Sequence, residues 1–250
     1  MARKKLVAGN WKMNTTLGEA KSLAAAVAAG STASAADVAV CVPYPWLIPV
    51  AESLRGSKVG LGAQNCSSHK SGAYTGEVST GMLLEAGCRY VIVGHSERRH
   101  GLGETDAVVN AKAKAALAAG LRTIFCVGEL LAEREAKQTE AVLERQIRHG
   151  LRDLPTDRLA NLVVAYEPFW AIGTGKVATP EQAQEAHAFI RKEVSTLLGG
   201  TLAGSLPILY GGSVTAENAA SLFARPDVDG GLVGGASLKA DSFLKIVGAA

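Results

Sequence analysis

The sequence has few cysteines, and none of them is spaced for a metal or redox motif. Its four cysteines, Cys41, Cys66, Cys88 and Cys126, lie far apart, with no C-x-x-C pair and no adjacent histidine. This spacing argues against a disulfide scaffold and against a zinc site. We therefore expect four buried free thiols in a reducing compartment, and no metal ion.

Long hydrophobic runs and an excess of one charge are also missing. The first apolar run, residues 6–9, stops at Asn10, which is too short for a signal-peptide core or a membrane span. The 26 basic and 23 acidic residues are interspersed and leave a net charge of +3. Because no basic stripe forms, the sequence predicts no nucleic-acid partner. The short apolar run predicts no membrane partner, with the cytoplasm as the default location.

No Gly/Ser-rich or Pro-rich linker interrupts the 250 residues, of which 48% are hydrophobic. Eight short apolar runs recur instead, and several are hydrophobic without alternation, as in parallel strands that are covered on both faces. The runs span residues 5–10, 38–42, 59–64, 90–93, 123–127, 162–166, 208–210 and 231–233.

Segments rich in Ala, Leu, Glu, Lys and Gln separate these runs and predict helices. One of them begins at Thr179 with proline next and Gln182 in the capping-box position. Eight strands alternating with helices over residues 1–250 predict a single α/β domain, a (β/α)8 barrel. A doubly wound open sheet is the alternative, weakened because no G-x-G-x-x-G follows the first strand. The helical segments span residues 17–29, 47–54, 105–119, 139–151, 180–198, 215–223 and 242–247, and a helical turn is predicted over residues 96–99.

Polar residues follow several of the predicted strands. Asn10 and Lys12 follow strand one, His95 follows strand four, and Glu167 follows strand six. Each has a simple structural explanation, such as a turn cap, a solvated charge or a hydrogen-bonded histidine. In a barrel, however, the carboxyl ends of all strands meet at one rim, where active sites lie. Together these residues therefore predict an active site.

The segment around Glu167 joins a carboxylate to a predicted lid. An ionised Glu can accept a proton, Pro168 fixes its own φ, and Trp170 provides an apolar anchor. Gly173 and Gly175 allow close approach of a ligand. The simpler interpretation is a strand, a turn and a surface carboxylate. The predicted lid comprises Pro168, Phe169, Trp170, Ala171, Ile172, Gly173, Thr174, Gly175 and Lys176.

Glycine pairs follow the last two strands. Turns at this place in (β/α)8 barrels often bind phosphate through backbone N–H groups. Ser213, after Gly212, and the pair Gly234 and Gly235 would provide these groups, with Gly173 added on lid closure. Lys12 would lie near the anion. The sequence therefore predicts a small phosphorylated ligand.

Five motifs in this order resemble the triosephosphate isomerase family over essentially the whole chain. They are Asn10-x-Lys12, GHSERR at 94–99, YEPxWAIGTGK at 166–176, YGGS at 210–213 and VGGAS at 233–237. No catalytic position of the family's pattern is missing. Phe169 departs from the pattern, because a smaller aliphatic residue is expected in the lid hinge.

The resemblance implies a TIM barrel that interconverts dihydroxyacetone phosphate and D-glyceraldehyde 3-phosphate through an enediolate, without a cofactor, in glycolysis and gluconeogenesis. Glu167 would be the base, and His95 would polarise the carbonyl; a neutral histidine at a helix N-terminus is a known property of this family. Lys12 and Asn10 would stabilise the oxyanion, and Glu97 would support the site near Lys12.

The loop from Asn65 to Ser79 is long for a strand–helix connection, and such loops are often functional. The resemblance implies a homodimer in which this loop reaches the other subunit, with Thr75 beside the neighbour's site and Glu77 paired with the neighbour's Arg98. A flexible surface loop is the alternative. For the activity, the alternatives are an isomerase of another small phosphosugar and a non-catalytic phosphosugar-binding barrel.

Overall fold

The computed structural model, which describes residues 3–171 and 178–250, contains eight parallel strands that close into a barrel in chain order. This confirms the predicted (β/α)8 barrel and excludes the open sheet. The predicted strand limits agree with the structure within one residue. The strands are β1 (Leu6–Asn10), β2 (Asp37–Val42), β3 (Gly60–Ala63), β4 (Tyr90–Val93), β5 (Arg122–Val127), β6 (Leu162–Tyr166), β7 (Ile208–Tyr210) and β8 (Gly230–Val233).

Helices connect the strands on the outside. Three short ones were not predicted from the sequence, namely α3, α6 and α9 below. The helices are α1 (Leu17–Gly30), α2 (Leu47–Ser53), α3 (Thr80–Glu85), α4 (Ser96–Gly101), α5 (Asp106–Ala118), α6 (Leu131–Glu135), α7 (Thr139–Gly150), α8 (Pro180–Leu198), α9 (Gly200–Ser205), α10 (Ala219–Phe223) and α11 (Ala240–Gly248). Short 3₁₀ turns cover Tyr44–Trp46, Thr156–Asn161, Phe169–Ala171 and Gly235–Leu238.

The predicted helix over residues 215–223 was too long, because α10 begins only at Ala219. The side chain of Asn218 accepts a hydrogen bond from the Thr215 N–H at 2.8 Å and donates to the Ser213 carbonyl at 3.0 Å. Asn side chains compete in this way with helical backbone bonds. The residues before α10 therefore form a turn, which fixes the backbone of Ser213.

The core has two layers that follow the two-residue period of the strands. In β6, Val163 and Ala165 belong to the cluster inside the barrel, whereas the alternate residues pack against the helices. The same alternation continues past the strand end and places Glu167 on the inner side. Leu6 and Ala8 of β1 likewise lie inside, which places Asn10 with them. The period of two thus directs both polar residues towards the barrel axis.

The capping box of α8 and the burial of the cysteines agree with the sequence analysis. Thr179 and Gln182 form the capping box that begins α8. All four cysteines are buried and free. Within residues 3–171 and 178–250, no helix is long and apolar enough to cross a membrane.

Candidate active site

A cavity of about 300 Å³ opens at the carboxyl ends of the strands. It brings together nearly all of the candidate residues that the sequence placed on this rim. Gly173 and the lid positions Ile172, Thr174, Gly175 and Lys176 lie outside the described residues. In the part of the chain that the structure describes, no cluster of His, Cys, Asp and Glu could hold a metal ion. The candidate residues that line the cavity are Asn10, Lys12, His95, Glu167, Ser213, Gly234 and Gly235.

Glu167 is only 1% exposed, although it lines this cavity. Its Oε2 accepts a hydrogen bond from the Ser96 N–H at 2.8 Å, and its Oε1 lies 3.0 Å from His95 Nε2. Ser96 is the first residue of α4, so its N–H has no partner within the helix. The helix N-terminus and the imidazole thus hold the carboxylate at the cavity wall.

His95 is the N-cap of α4, and its geometry identifies its tautomer. Its Nδ1 accepts a hydrogen bond from the Glu97 N–H at 3.2 Å and therefore carries no proton. The Nε2–H is then the donor that faces Glu167. His95 consequently presents a neutral donor to the cavity.

Lys12 adopts a left-handed backbone conformation with φ of 53°. Such a conformation costs a side-chain-bearing residue roughly 1–2 kcal/mol. Two hydrogen bonds hold it: the Lys12 N–H donates to Asn10 Oδ1 at 3.0 Å, and its carbonyl accepts from Gln64 Nε2 at 2.9 Å. The Lys12 ammonium then pairs with Glu97 Oε1 at 2.6 Å. Gln64, which the sequence analysis did not single out, therefore supports the site.

The glycine turns after β7 and β8 line the cavity together with Lys12. A Cβ on Gly234 would meet the Lys12 Cε at 3.5 Å, so the lysine stem lies against this turn. Ser237 donates to the Gly234 carbonyl with both its N–H (2.8 Å) and its hydroxyl (2.6 Å), which fixes the turn. The Gly211 N–H donates to the Tyr166 carbonyl at 2.7 Å. The turn after β8 thus lies beside the cation, and the turn after β7 lies beside the base candidate.

Sequence reasoning missed Glu129, which is fully buried beside the predicted hinge. Its Oε1 accepts hydrogen bonds from the Tyr166 hydroxyl and the Trp170 indole N–H, both at 3.0 Å. Arg134 pairs with the same oxygen at 3.2 Å and lies 4.6 Å from the centre of the Trp170 ring. The signal was available, because Glu129 follows the end of β5 by two residues.

The described part of the hinge is ordered by such contacts. Pro168 and Ala171 are buried, and the Phe169 ring lies 5.0 Å from the ring of His100. Burial raises the pKa of the Tyr166 hydroxyl well above its ordinary value, and the Glu129 charge adds to this rise. Tyr166 therefore stays a hydrogen-bond donor at neutral pH.

Cys126 lies next to the base candidate and stays protonated. Burial raises the pKa of its thiol well above the ordinary value, and the negative charge of Glu167 raises it further. The thiol is therefore a neutral, packed group at physiological pH and not a nucleophile.

A second cavity of about 450 Å³, here called the outer cavity, shares Asn10, Lys12 and His95 with the first. Its rim includes Met13 and Leu102, which are 95% and 67% exposed. Apolar side chains this exposed, at the edge of a cavity, are typical of a protein–protein contact surface.

The three candidate dimer residues lie on the surface or near it. Thr75 and Glu77 are exposed on the loop after β3. Arg98, which also lines the outer cavity, pairs with Glu104 of its own chain at 2.6 Å.

Comparison with known proteins agrees with this geometry. The family profile described as Triosephosphate isomerase matches residues 5–250. The chain is 57% identical over 248 residues to the triosephosphate isomerase of Thiobacillus denitrificans, with 99% of each chain covered. It is 54% identical over 250 residues to that of Chlorobium phaeovibrioides, again with 99% of each chain covered. It is 55% identical over 253 residues to that of Paracidovorax citrulli, with both chains fully covered. This chain belongs to the triosephosphate isomerase family.

Proposed function

We propose that this chain interconverts dihydroxyacetone phosphate and D-glyceraldehyde 3-phosphate by proton transfer through an enediolate, without a cofactor, in glycolysis and gluconeogenesis. One observation carries the proposal. The Glu167 carboxylate and the neutral His95 imidazole lie 3.0 Å apart at a cavity that Lys12 and the two glycine turns also line. A binding protein needs the turns alone, whereas a buried base beside a neutral donor is what carbon-to-carbon proton transfer requires.

The phosphate group would bind the turn amides of Ser213, Gly234 and Gly235, with Gly173 of the lid added on closure. Backbone N–H groups suit an anion because they donate without side-chain obstruction. Lys12 would add a positive charge on the same side, where partial exclusion of water strengthens its attraction. These contacts place the three-carbon chain towards the carboxylate.

Proton transfer would use Glu167 and His95. Glu167 takes a proton from the carbon next to the carbonyl and returns it to the neighbouring carbon. Both of its oxygens are held by Ser96 and His95 in this structure, so the carboxylate turns away from them to reach substrate. His95 Nε2 then gives its proton to one substrate oxygen and takes the hydroxyl proton from the other, while Lys12 and Asn10 stabilise the negative charge that develops there.

Pro168 to Lys176 would form the lid, with Phe169, Trp170 and Ala171 in its hinge and Ile172, Thr174 and Gly175 in its tip. Closure would exclude water and prevent loss of phosphate from the enediolate. The Glu129 contacts to Tyr166 and Trp170 support this role, because they give the hinge a fixed base. Glu97 would position the Lys12 ammonium through their ion pair.

Residues 1–250 would form one catalytic domain that works as a homodimer in the cytoplasm. The four free thiols support a reducing compartment. The exposed rim of the outer cavity supports the dimer, since the loop from Asn65 to Ser79 of a second copy could cover it. Thr75 would then lie beside the neighbour's site, and Glu77 would pair with the neighbour's Arg98.

The test replaces Glu167 by Asp, which withdraws the carboxylate by one methylene. We expect kcat to fall on the order of 100-fold or more, because a displacement of about 1 Å at a base has such effects. Binding of inorganic phosphate should stay within about twofold of the wild type, since a phosphate alone occupies the turns. Deuterium incorporation from D2O into each triose phosphate measures the proton transfer directly.

Glu181→Asp is the matched control, because this exposed carboxylate at the start of α8 does not line the cavity and should keep full activity. Near-normal turnover of Glu167→Asp would overturn the assignment of the base. A wild-type protein that binds phosphate and exchanges no deuterium would be a non-catalytic binder. Faster exchange in another member of a phosphosugar panel would instead identify a different isomerase.

A further inference from the structure

The loop from Asn65 to Ser79 after β3, here called the arm, is closed at its base by a backbone hydrogen bond. The Ser67 N–H donates to the Val78 carbonyl at 2.8 Å and joins the two sides of the loop. All residues from 69 to 77, Thr75 included, are exposed beyond this bond. The shape of the arm therefore depends on contacts that it makes within itself.

Two aromatic rings of the arm lie face to face. The centres of the His69 and Tyr74 rings are 3.9 Å apart, and the ring planes differ by only 9°. The backbone holds both partners: the His69 N–H donates to Ser67 Oγ at 3.3 Å, and the Glu77 N–H donates to the Tyr74 carbonyl at 3.0 Å. The stack thus spans the turn that presents Thr75.

Gly72 lies close to the Tyr74 ring as well. Its φ is +128°, and a Cβ there would lie 3.2 Å from Tyr74 Cε2. The Tyr74 N–H also donates to the Gly72 carbonyl at 2.9 Å. The Tyr74 ring is thus confined by the His69 imidazole and the Gly72 backbone, although the residue is 43% exposed and far from any core.

We propose that His69 is a positioning residue for association of two copies of this chain: by stacking on Tyr74, it holds the arm in the shape that enters the outer cavity of the other copy. The inference rests on the homodimer proposed above. A loop that must be ordered on binding lowers affinity, and an arm that is already ordered avoids this loss. A two-fold dimer contains two arms, so each substitution acts twice.

The test measures the dimer dissociation constant by analytical ultracentrifugation over a dilution series. An aromatic pair contributes roughly a factor of five to an equilibrium constant, so His69→Ala should weaken the dimer roughly 25-fold. His69→Phe, which keeps a flat ring, should stay within about threefold of the wild type. In a Tyr74→Ala background, His69→Ala should have almost no further effect, because its partner is already gone. The specific activity of His69→Ala should fall on dilution at concentrations where the wild type keeps it.

Several results would overturn the inference while leaving the proposed dimer intact. The first is a dissociation constant of His69→Ala equal to that of the wild type. The second is an equal loss of dimer affinity in His69→Ala and His69→Phe. The third is a double variant whose loss of affinity is the sum of the two single losses. A wild type that stays monomeric at all concentrations would instead overturn the dimer and the inference together. Far-ultraviolet circular dichroism of each variant verifies that the barrel is folded, so that a shift in association reports on the arm.

Discussion

Gly212 is a position near the site where the structure predicts a large effect of a single added methyl group. A Cβ on this residue would overlap the buried hydroxyl of Tyr210, lie 2.6 Å from its Cζ and approach Pro168 Cγ at 3.1 Å. Tyr210 is fully buried, so its ring cannot move aside into solvent. The turn before Ser213 and the hinge would both have to shift in Gly212→Ala.

The magnitude follows from the overlap. Carbon atoms in contact normally lie about 3.5–4.0 Å apart, so a separation of 2.6 Å forces a shift of about 1 Å in a packed region. Overpacking of this kind costs about 1–3 kcal/mol. Gly235→Ala is the matched control in the neighbouring turn, because a Cβ there meets no atom within 4 Å. We expect its free energy of unfolding to stay within about 0.5 kcal/mol of the wild type.

Urea unfolding at one fixed protein concentration measures both variants. Gly212→Ala should unfold at a lower urea midpoint with an unchanged slope, whereas Gly235→Ala should follow the wild-type curve. Binding of inorganic phosphate should weaken in Gly212→Ala, because the amide of Ser213 moves with the turn. Equal midpoints for Gly212→Ala and the wild type would refute the steric argument, as would an equal loss in the control.

Two further predictions concern charge. Lys12→Met should lower kcat/KM roughly 1000-fold, because a unit charge about 4 Å from an anion contributes about 4 kcal/mol at an effective dielectric constant of 20. Lys12→Arg keeps the charge and should retain more of the activity. Equal losses of kcat/KM in both variants, measured by steady-state kinetics, would contradict the role of the charge. Burial lowers the pKa of His187 from 6.5 to about 4, so the unfolded chain binds a proton there more readily than the folded protein. The contribution of His187 to the free energy of unfolding should therefore be fully present above pH 6.5 and should be lost, by up to about 3 kcal/mol, as the pH drops towards 4. In urea unfolding, the free energy of unfolding of His187→Gln should depend less on pH over this range. Parallel pH curves for His187→Gln and the wild type would argue against His187 as the source.

The sequence by itself determined the class of the fold and the set of polar residues at the strand ends. Hydrophobic runs without alternation indicated parallel strands, but for the same reason they did not show which residues face the barrel axis; the structure showed this for Val163 and Ala165 and hence for Glu167. These signals are local, because each depends only on residues within one strand or one turn. Short helices such as α6 and α9 escaped, since five or six residues show no clear helical period.

Only the tertiary structure decided which groups meet at the rim. The Ser96 N–H and the Glu167 carboxylate are 71 positions apart in the chain, and Lys12 and Glu97 are 85 apart. No local pattern encodes such a pairing, because it depends on the closure of eight strands and on the stagger between them. The left-handed backbone of Lys12 is held across the same closure by Gln64. The sequence therefore named the reacting side chains, and the barrel set their partners and distances.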